Sequence, residues 1–444
     1  MDKRELSRII AQKVKEEGGR VFYVGGCVRD KLLGIENKDI DIEVHGISPE
    51  QLKAILETLG TPMSYGQSFG VYSLKGYDID IAMPRKERAI GTGHRDFEID
   101  VDPFIGYKEA ARRRDFTINA LMEDVLDGTI IDSFNGLEDL KAGIIRCVDP
   151  KTFIEDPLRV LRGAQFASRF HFGIAQDTLD LCKNIDLTPL HKQRVEEELK
   201  KAILKSDRPS IFFETLKQMD QLHVWFTELK DLIGLKQDPI YHPEGDVFTH
   251  AMQVLDKGSG YRNKVKDPYA FMLLCLCHDL GKIVTTEEVD GRIHSYGHEI
   301  KGLPLIKSFY RRFADEKEPL KYLLNMTPLH MRPFALACAR ASIKATNKVF
   351  DKAMEPEDLI WFSLADKGDK AKQEEIDYLF ERYEVFKDYM ARDFVSGDDL
   401  IKEGLKPDES FSQILAYAHK LRLAGVKKEN ALKQTLAYAA KLKD

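Results

Sequence analysis

Two short stretches place aspartates at alternate positions: KDIDIEV carries Asp39 and Asp41, and YDIDIAMPR carries Asp78 and Asp80. In an extended strand, residues two apart share a face and lie ~7 Å apart. Each pair therefore offers two carboxylates to one side of a sheet. Three carboxylates converging from neighbouring strands suit one or two divalent ions, and two ions clamp the attacking and leaving oxygens of a phosphoryl transfer. For one such pair alone, a solvated edge-strand face is the plain alternative.

Just upstream, VFYVGGCVRDKLLG reads as strand, tight turn and helix. Gly25 and Gly26 let backbone N–H groups approach phosphates at a helix start. Arg29, on the first turn, offers those phosphates a charge-assisted contact. A glycine pair by itself is equally a simple turn. Carboxylates on two strands beside a phosphate-binding turn form a combination that a polar strand face does not predict.

The elements that must hold these residues follow from the patterning. From Val21 to about Val148, short β-rich runs alternate with helical connectors such as PEQLKAILETLG. Beyond Glu155 the strands vanish and amphipathic helices follow one another to the end. DPIYHPEGD, residues 238–246, breaks the helices with two prolines and a glycine and opens a histidine-rich segment. A chain of 444 residues exceeds one ordinary core. We expect an α/β (α+β) head with a small mixed sheet over residues 1–148, a helical neck over 149–237, a histidine-rich domain over 238–370 and a helical tail over 371–444.

Composition excludes little but orders the alternatives. A net charge of −6 with 32% charged residues argues against a uniformly basic nucleic-acid coat, although a local basic surface still binds phosphates. Six scattered cysteines without a CxxC pair point to reduced thiols. The opening MDKRELSRIIAQKVKEEGG reads as an amphipathic helix without the apolar centre of a signal peptide, and no run is apolar enough to span a bilayer. A cytoplasmic enzyme is the expectation, with the oligomeric state left open.

The stretch GG-x-VRD-x-LLG-x4-D-x-D over residues 25–41 resembles the signature of the class II tRNA nucleotidyltransferases, the CCA-adding enzymes of the polymerase-beta-like superfamily. The likeness continues in order through GQSFGV (66–71), RRDFTINA (113–120), DSFNG (132–136) and EDPLRVLR (155–162), covering about residues 20–200. The resemblance implies that Asp39 and Asp41 hold Mg2+ and that Asp80 takes the proton from the primer 3′-hydroxyl. It implies that Gly25, Gly26 and Arg29 hold the triphosphate and that Arg114, Asp115 and Asn119 meet the nucleotide. The charged, glycine-containing loop Arg85–Asp100 falls where the family carries a flexible element for switching from C to A. The implied substrates are CTP, ATP and the tRNA 3′ end. Poly(A) polymerase, or an enzyme adding only CC or A, is the nearest alternative.

Glu155, Arg159, Arg162 and Phe166 recur at i, i+4, i+7 and i+11, the spacing of one helical stripe. Such a stripe is most often a solvated face. Asp156 and Arg159 offer an acceptor beside a donor, which matches the amino donor and ring-nitrogen acceptor of cytosine and adenine. Uracil and guanine present the reverse order and leave buried groups unpaired. In the resembling family the residues matching Asp156 and Arg159 read the base, with Arg162 close by. Arg194 and Glu198 in LTPLHKQRVEEEL are the supporting neck residues. Late lysines (Lys402, Lys406, Lys420, Lys427, Lys428, Lys433, Lys441) are candidates for the acceptor arm and T-loop, or equally a solvated face.

HPEGDVFTH, LLCLCHDLGK and WFSLADKGD together resemble the HD phosphohydrolase pattern. That resemblance implies a divalent metal (Mg2+, Mn2+, Ni2+ or similar) on His250, His278, Asp279 and Asp366, with a bound water as nucleophile. His294 and His298 are expected to line the pocket and Lys282 to steady a phosphate. A different class of reading makes the chain an HD phosphohydrolase whose N-terminal half only binds RNA.

Overall fold

The computed structural model describes residues 2–37, 39–64, 70–89, 97–240 and 242–443. They form two compact units, residues 1–202 with 211–225, and residues 203–210 with 226–444. The six cysteines are free thiols. Among the described residues no helix is long and apolar enough to cross a membrane.

In the first unit, helix α1 (Lys3–Glu16) starts where the Asp2 side chain accepts the Glu5 N–H, and it buries Leu6, Ile10 and Val14. It leads into β1 (Arg20–Val24), α2 (Gly26–Leu32), β2 (Asp41–His45), α3 (Pro49–Glu57), β3 (Pro62–Ser64), β4 (Val71–Leu74) and β5 (Asp80–Ala82). A ribbon of β6 (Arg85–Ala89) and β7 (Phe97–Val101) follows, then α4 (Tyr107–Arg112), β8 (Met122–Asp124) and β9 (Ile130–Ile131). Seven of the strands make one mixed sheet in the order β3-β4-β5-β2-β1-β8-β9. Within it β2 and β5 run parallel while the other pairs are antiparallel. The apolar residues that follow Asp41 and Asp80, Ile42 and Ile81, are register partners and fully buried, so period-two alternation sends the aspartates to the other face.

Two expectations change here. The segment expected as a loop from Arg85 to Asp100 pairs along both limbs, from Arg85↔Val101 to Ala89↔Phe97. Its residues 90–96 lie outside the described ones, as do 66–69 of the GQSFGV motif. Strands also do not end at Glu155. After α5 (Gly136–Ala142), β10 (Ile144–Ile145), α6 (Pro150–Phe153) and α7 (Leu158–Phe170), strand β11 (Gly173–Ile174) returns to pair with β10. The second unit contains the hairpin β12 (Glu287–Val289) and β13 (Arg292–His294). Its turn is Asp290-Gly291 with φ of 51° and 72°, the left-handed pair that a two-residue hairpin turn requires.

The remainder of the second unit is helical. Helix Pro268–Cys277 is buried from Tyr269 onward, which is why its sequence is apolar all round rather than striped. It packs with helices Val247–Ser259 and Pro356–Lys367. The last helices have a core of their own around Leu400, Ile414, Ala418 and Ala431.

Candidate active sites

The sheet brings the first set of carboxylates together by register. Asp41 opens β2 and Asp80 opens β5, directly opposite one another in the parallel pair. Asp39 precedes the strand, its N–H donating to Asn37 Oδ1 at 2.9 Å. All three side chains are exposed at one end of the sheet. Partial burial raises the Asp41 pKa, and the charge of Asp80 raises it further; Arg114 opposes this, while Asp39 and Asp78 add to it. Such mutual repulsion between carboxylates on one face is what a cation relieves, and oxygen donors suit Mg2+. The donor set fits the ion, although the tighter groups, with three donor atoms within 4.8 Å of one another, all lie in the second unit among the described residues.

The glycine turn flanks these aspartates. Gly25 sits at φ 69° and ψ −130°, a conformation essentially reserved for glycine, and caps α2. A Cβ there would stand 3.1 Å from Arg114 Nη1. Arg29 has a different place from the one expected. It is 3% exposed, gives Nε and Nη2 to Asp30 Oδ1 (2.8 and 2.6 Å) and Nη1 to Asn119 Oδ1 (2.5 Å), and lies over the rings of Phe166 and Phe170. Its donors are committed beneath the turn, so it braces α2 against α7. Asn119 passes the network on to Asp115 at 2.9 Å, and Arg162 Nε donates to the other Asp115 oxygen at 2.7 Å. Burial opposes ionisation of Asp115, but Arg162 and Asn119 hold its pKa below the usual value. Asp115 and Asn119 are therefore interior supports of the turn as well as candidate nucleotide residues.

Sequence reasoning missed Glu43. It continues the alternation of Asp39 and Asp41 on the same face and is fully buried. His45 Nε2 lies 2.9 Å from it, Arg114 3.2 Å and Arg113 3.4 Å. Burial raises its pKa, but the His45 hydrogen bond and the two arginines outweigh that and hold it at about 2. Glu43 thus anchors Arg114 from behind while Arg114 faces Gly25 and Asp41. A carboxyl depressed from 4.5 to about 2 contributes roughly 3 kcal/mol of stability, present above pH 4.5 and lost as pH falls toward 2. Glu43→Gln should lose that acid-sensitive component, so urea unfolding followed from pH 5 to pH 2 should show a shallower decline than in the parent chain.

Helix α7 begins after Pro157, and the residue before a proline is disfavoured in helical conformation. Glu155 and Asp156 consequently lie in the preceding turn, and the helical stripe starts at Arg159 rather than Glu155. Asp156 accepts the Leu158 N–H at 3.1 Å and a bond from Arg194 at 3.3 Å. Arg159 donates to the carbonyls of Thr152 (2.8 Å) and Arg113 (2.6 Å). Both side chains are thereby fixed by their neighbours. Glu198 approaches Arg162 at 4.0 Å.

The second unit gathers the histidines around two carboxylates. His250 Nε2 lies 3.1 Å from Asp366 Oδ1 and 3.7 Å from Asp279 Oδ2. His278 Nε2 lies 3.3 Å from Asp279 Oδ2 and 3.8 Å from Asp366 Oδ1, buried without a hydrogen bond to either. The other Asp279 oxygen meets His298 Nε2 at 3.2 Å, and His298 Nε2 faces His330 Nε2 at 3.4 Å. Each imidazole is held from behind at Nδ1 by an oxygen that can only accept. These are Glu244 for His250 (2.9 Å), the Cys275 carbonyl for His278 (3.2 Å), the Ser295 carbonyl for His298 (2.8 Å) and the Thr327 carbonyl for His330 (2.7 Å). Four Nδ1 atoms donating outward leave four Nε2 atoms converging inward, the second-shell pattern that fixes metal-ligating histidines. Burial opposes a charge on His250, yet Asp366, Glu244 and Asp279 raise its pKa to about 9; burial pushes His330 down to about 4. The inward-facing Nε2 atoms and the carboxylate field both fit a cation. Lys282 bonds Asp279 (2.8 Å) and Gln237 (2.7 Å). His330 was missed because it sits in no patterned motif, and Glu244, although inside HPEGDVFTH, because nothing in that stretch marks it as the partner of His250 Nδ1.

Comparison with known proteins meets this geometry. Residues 21–146 match the Poly A polymerase head domain family. The chain is 34% identical over 400 residues to the Multifunctional CCA protein of Pasteurella multocida, covering 87% of this chain and 92% of the relative. The chain belongs to the class II CCA-adding enzyme family. A second relative, the Multifunctional CCA protein of Mannheimia succiniciproducens, is 33% identical over 419 residues, 90% of this chain and 97% of its own. Among solved structures, a Thermotoga maritima CCA-adding enzyme complexed with tRNA superposes with a TM-score of 0.68 at 23% identity, over 99% of this chain and 96% of that one. A Bacillus stearothermophilus CCA-adding enzyme in complex with CTP gives 0.64 at 20%, over 100% and 99%. These two likenesses concern the fold that carries the family's residues.

Proposed function

We propose that the chain adds C, C and A to the 3′ end of tRNA from CTP and ATP, in the cytoplasm, and that its second unit is a metal-dependent phosphohydrolase. The carrying observation is the parallel register of Asp41 with Asp80 beside the Gly25 turn, in a chain sharing 34% identity over nearly all of a Multifunctional CCA protein.

Asp39 and Asp41 would hold Mg2+, which supplies charge neutralisation along the triphosphate and activation of the primer hydroxyl. Asp80 accepts the proton of the 3′-hydroxyl. Backbone N–H groups at Gly25 and Gly26 receive phosphate oxygens at the start of α2, and Arg114, held by Glu43, pairs with the triphosphate. Arg29 supports the turn through Asp30 and Asn119. Asp156 and Arg159 read the amino and ring-nitrogen edge shared by cytosine and adenine; Arg162 and Asp115 fix the helix that carries Arg159 and follows Asp156. In the second unit, His250, His278, Asp279 and Asp366 would hold a divalent ion, and Asp279 with His298 and His330 forms a second group of candidate ligands. Such an ion would supply an activated water for attack on a phosphoester, and Lys282 would steady the phosphate. The four-part division at 148, 237 and 370 accompanies this reading: head, selecting neck, hydrolase and tail.

Incubation of the chain with tRNA lacking its terminal residues tests the first half. CTP alone should give two additions, CTP with ATP should complete the end, and UTP or GTP should give none. Homopolymer growth with ATP alone would instead make the chain a poly(A) polymerase.

A further inference from the structure

The two carboxylates assigned to Mg2+ are placed by different means. Asp41 is the first residue of β2 and is fixed by its register with Asp80. Asp39 stands two residues before that strand, ahead of the ladder, and its backbone N–H donates to Asn37 Oδ1 at 2.9 Å. The other end of the same amide, Asn37 Nδ2, donates to Asp30 Oδ2 at 2.9 Å. Asp30 belongs to α2 and is 1% exposed; its oxygens also receive two bonds from Arg29 (2.8 and 2.6 Å) and one from Arg169 of α7 (3.3 Å). Asn37 thus joins an exposed metal ligand to an interior carboxylate that cannot shift without breaking its bonds to two arginines.

The same amide lies beside the glycine turn. A Cβ at Gly26 would stand 3.8 Å from Asn37 Nδ2 and 3.5 Å from Arg29 Nη2. One side chain therefore meets the start of α2, the buried carboxylate beneath it and the backbone of Asp39. Only an amide serves both ends, because the Asp39 N–H needs an acceptor and the Asp30 carboxylate needs a donor. Aspartate in its place would set two anions together, and an apolar side chain would match neither end. We propose that Asn37 is a positioning residue for nucleotidyl transfer: by bridging Asp30 to Asp39 it sets the separation between the triphosphate turn and the Mg2+ ligands.

This rests on the nucleotidyltransferase reading, and the experiment separates the two. Incorporation of CMP into tRNA lacking its terminal residues is followed against Mg2+ concentration with the full chain. Asn37→Ala should raise the Mg2+ needed for half-maximal incorporation roughly tenfold, the scale for losing a group that orients a metal ligand, and leave the rate at saturating Mg2+ within about threefold. Asn37→Ser keeps an acceptor near the Asp39 N–H but is too short to span to Asp30, so it should behave as alanine does. In the metal-free chain, hydrogen exchange at the Asp39 amide should quicken roughly tenfold or more in Asn37→Ala while the strands of the sheet keep their protection. An unchanged Mg2+ requirement in Asn37→Ala, a parent-like one in Asn37→Ser, or loss of protection throughout the sheet overturns the bridge. If the parent chain incorporates no CMP, the nucleotidyltransferase reading fails. Exchange at Asp39 then decides the bridge alone: acceleration confined to that segment sustains it, and equal exchange in parent and variant removes it.

Discussion

Replacing Asp41 by alanine should lower single-turnover incorporation of CMP into tRNA by at least about 1,000-fold, roughly 4 kcal/mol of transition-state stabilisation, while leaving the fold intact. The carboxylate is exposed, so its removal opens no cavity in the core. Its neighbours Asp80, Asp39 and Asp78 repel it in the folded chain, so the variant should melt no earlier than the parent. What is lost is one of the two oxygen donors set side by side on this face for Mg2+, and the remaining aspartates cannot replace its position in register with Asp80. Hydrolysis of 3′-AMP by the second unit should stay within about twofold, since its imidazoles and carboxylates are a separate set of residues. Incorporation surviving within about tenfold of the parent would remove the aspartate pair from the chemistry and return the first unit to an RNA-binding role.

The parts of this architecture visible in the sequence are those governed by period. Alternation of aspartate and isoleucine fixes which face the carboxylates take, because Ile42 and Ile81 must go to the core. The same alternation reaches Glu43, but a glutamate on a strand face gives no sign in sequence that it will be buried; the arginines that make its burial tolerable lie some 70 residues away. Arg29 is the converse case. Its place on the first turn of α2 suggested a phosphate contact, and only the packing of α7, with Phe166 and Phe170 beneath it and Asn119 beside it, turns it inward. Glu155 leaves the helical stripe for a local reason, Pro157, which was legible and outweighs the spacing. The Asp290-Gly291 pair was likewise a readable hairpin turn, concealed by the short, charged strands on either side. His330 had no such signal: one histidine among helices acquires meaning only when His298 and Asp279 are brought to it through the fold.

The second unit concentrates its electrostatics on Asp279, and Asp279→Asn should therefore abolish hydrolysis of 3′-AMP by about 1,000-fold with little change in shape. One Asp279 oxygen lies near His250 and His278, and the other faces His298. Burial opposes its charge, but Lys282 and His278 hold its pKa well below the usual value. An asparagine of the same outline keeps one acceptor and replaces the other by a donor, which can point only at lone pairs of inward-facing Nε2 atoms or at the Lys282 ammonium. Bound divalent metal, measured by elemental analysis after dialysis, should fall with activity, because two imidazoles lose the anion they share with the ion. Lys282 would remain buried beside the neutral Gln237 at 2.7 Å, its charge no longer met by Asp279, so thermal stability should drop as well. Addition of C and A to tRNA should persist in the same preparation, which distinguishes the loss of one site from the loss of the fold. Retention of both metal and hydrolysis by the variant would mean that the ion binds elsewhere and that the convergent imidazoles only pack the second unit.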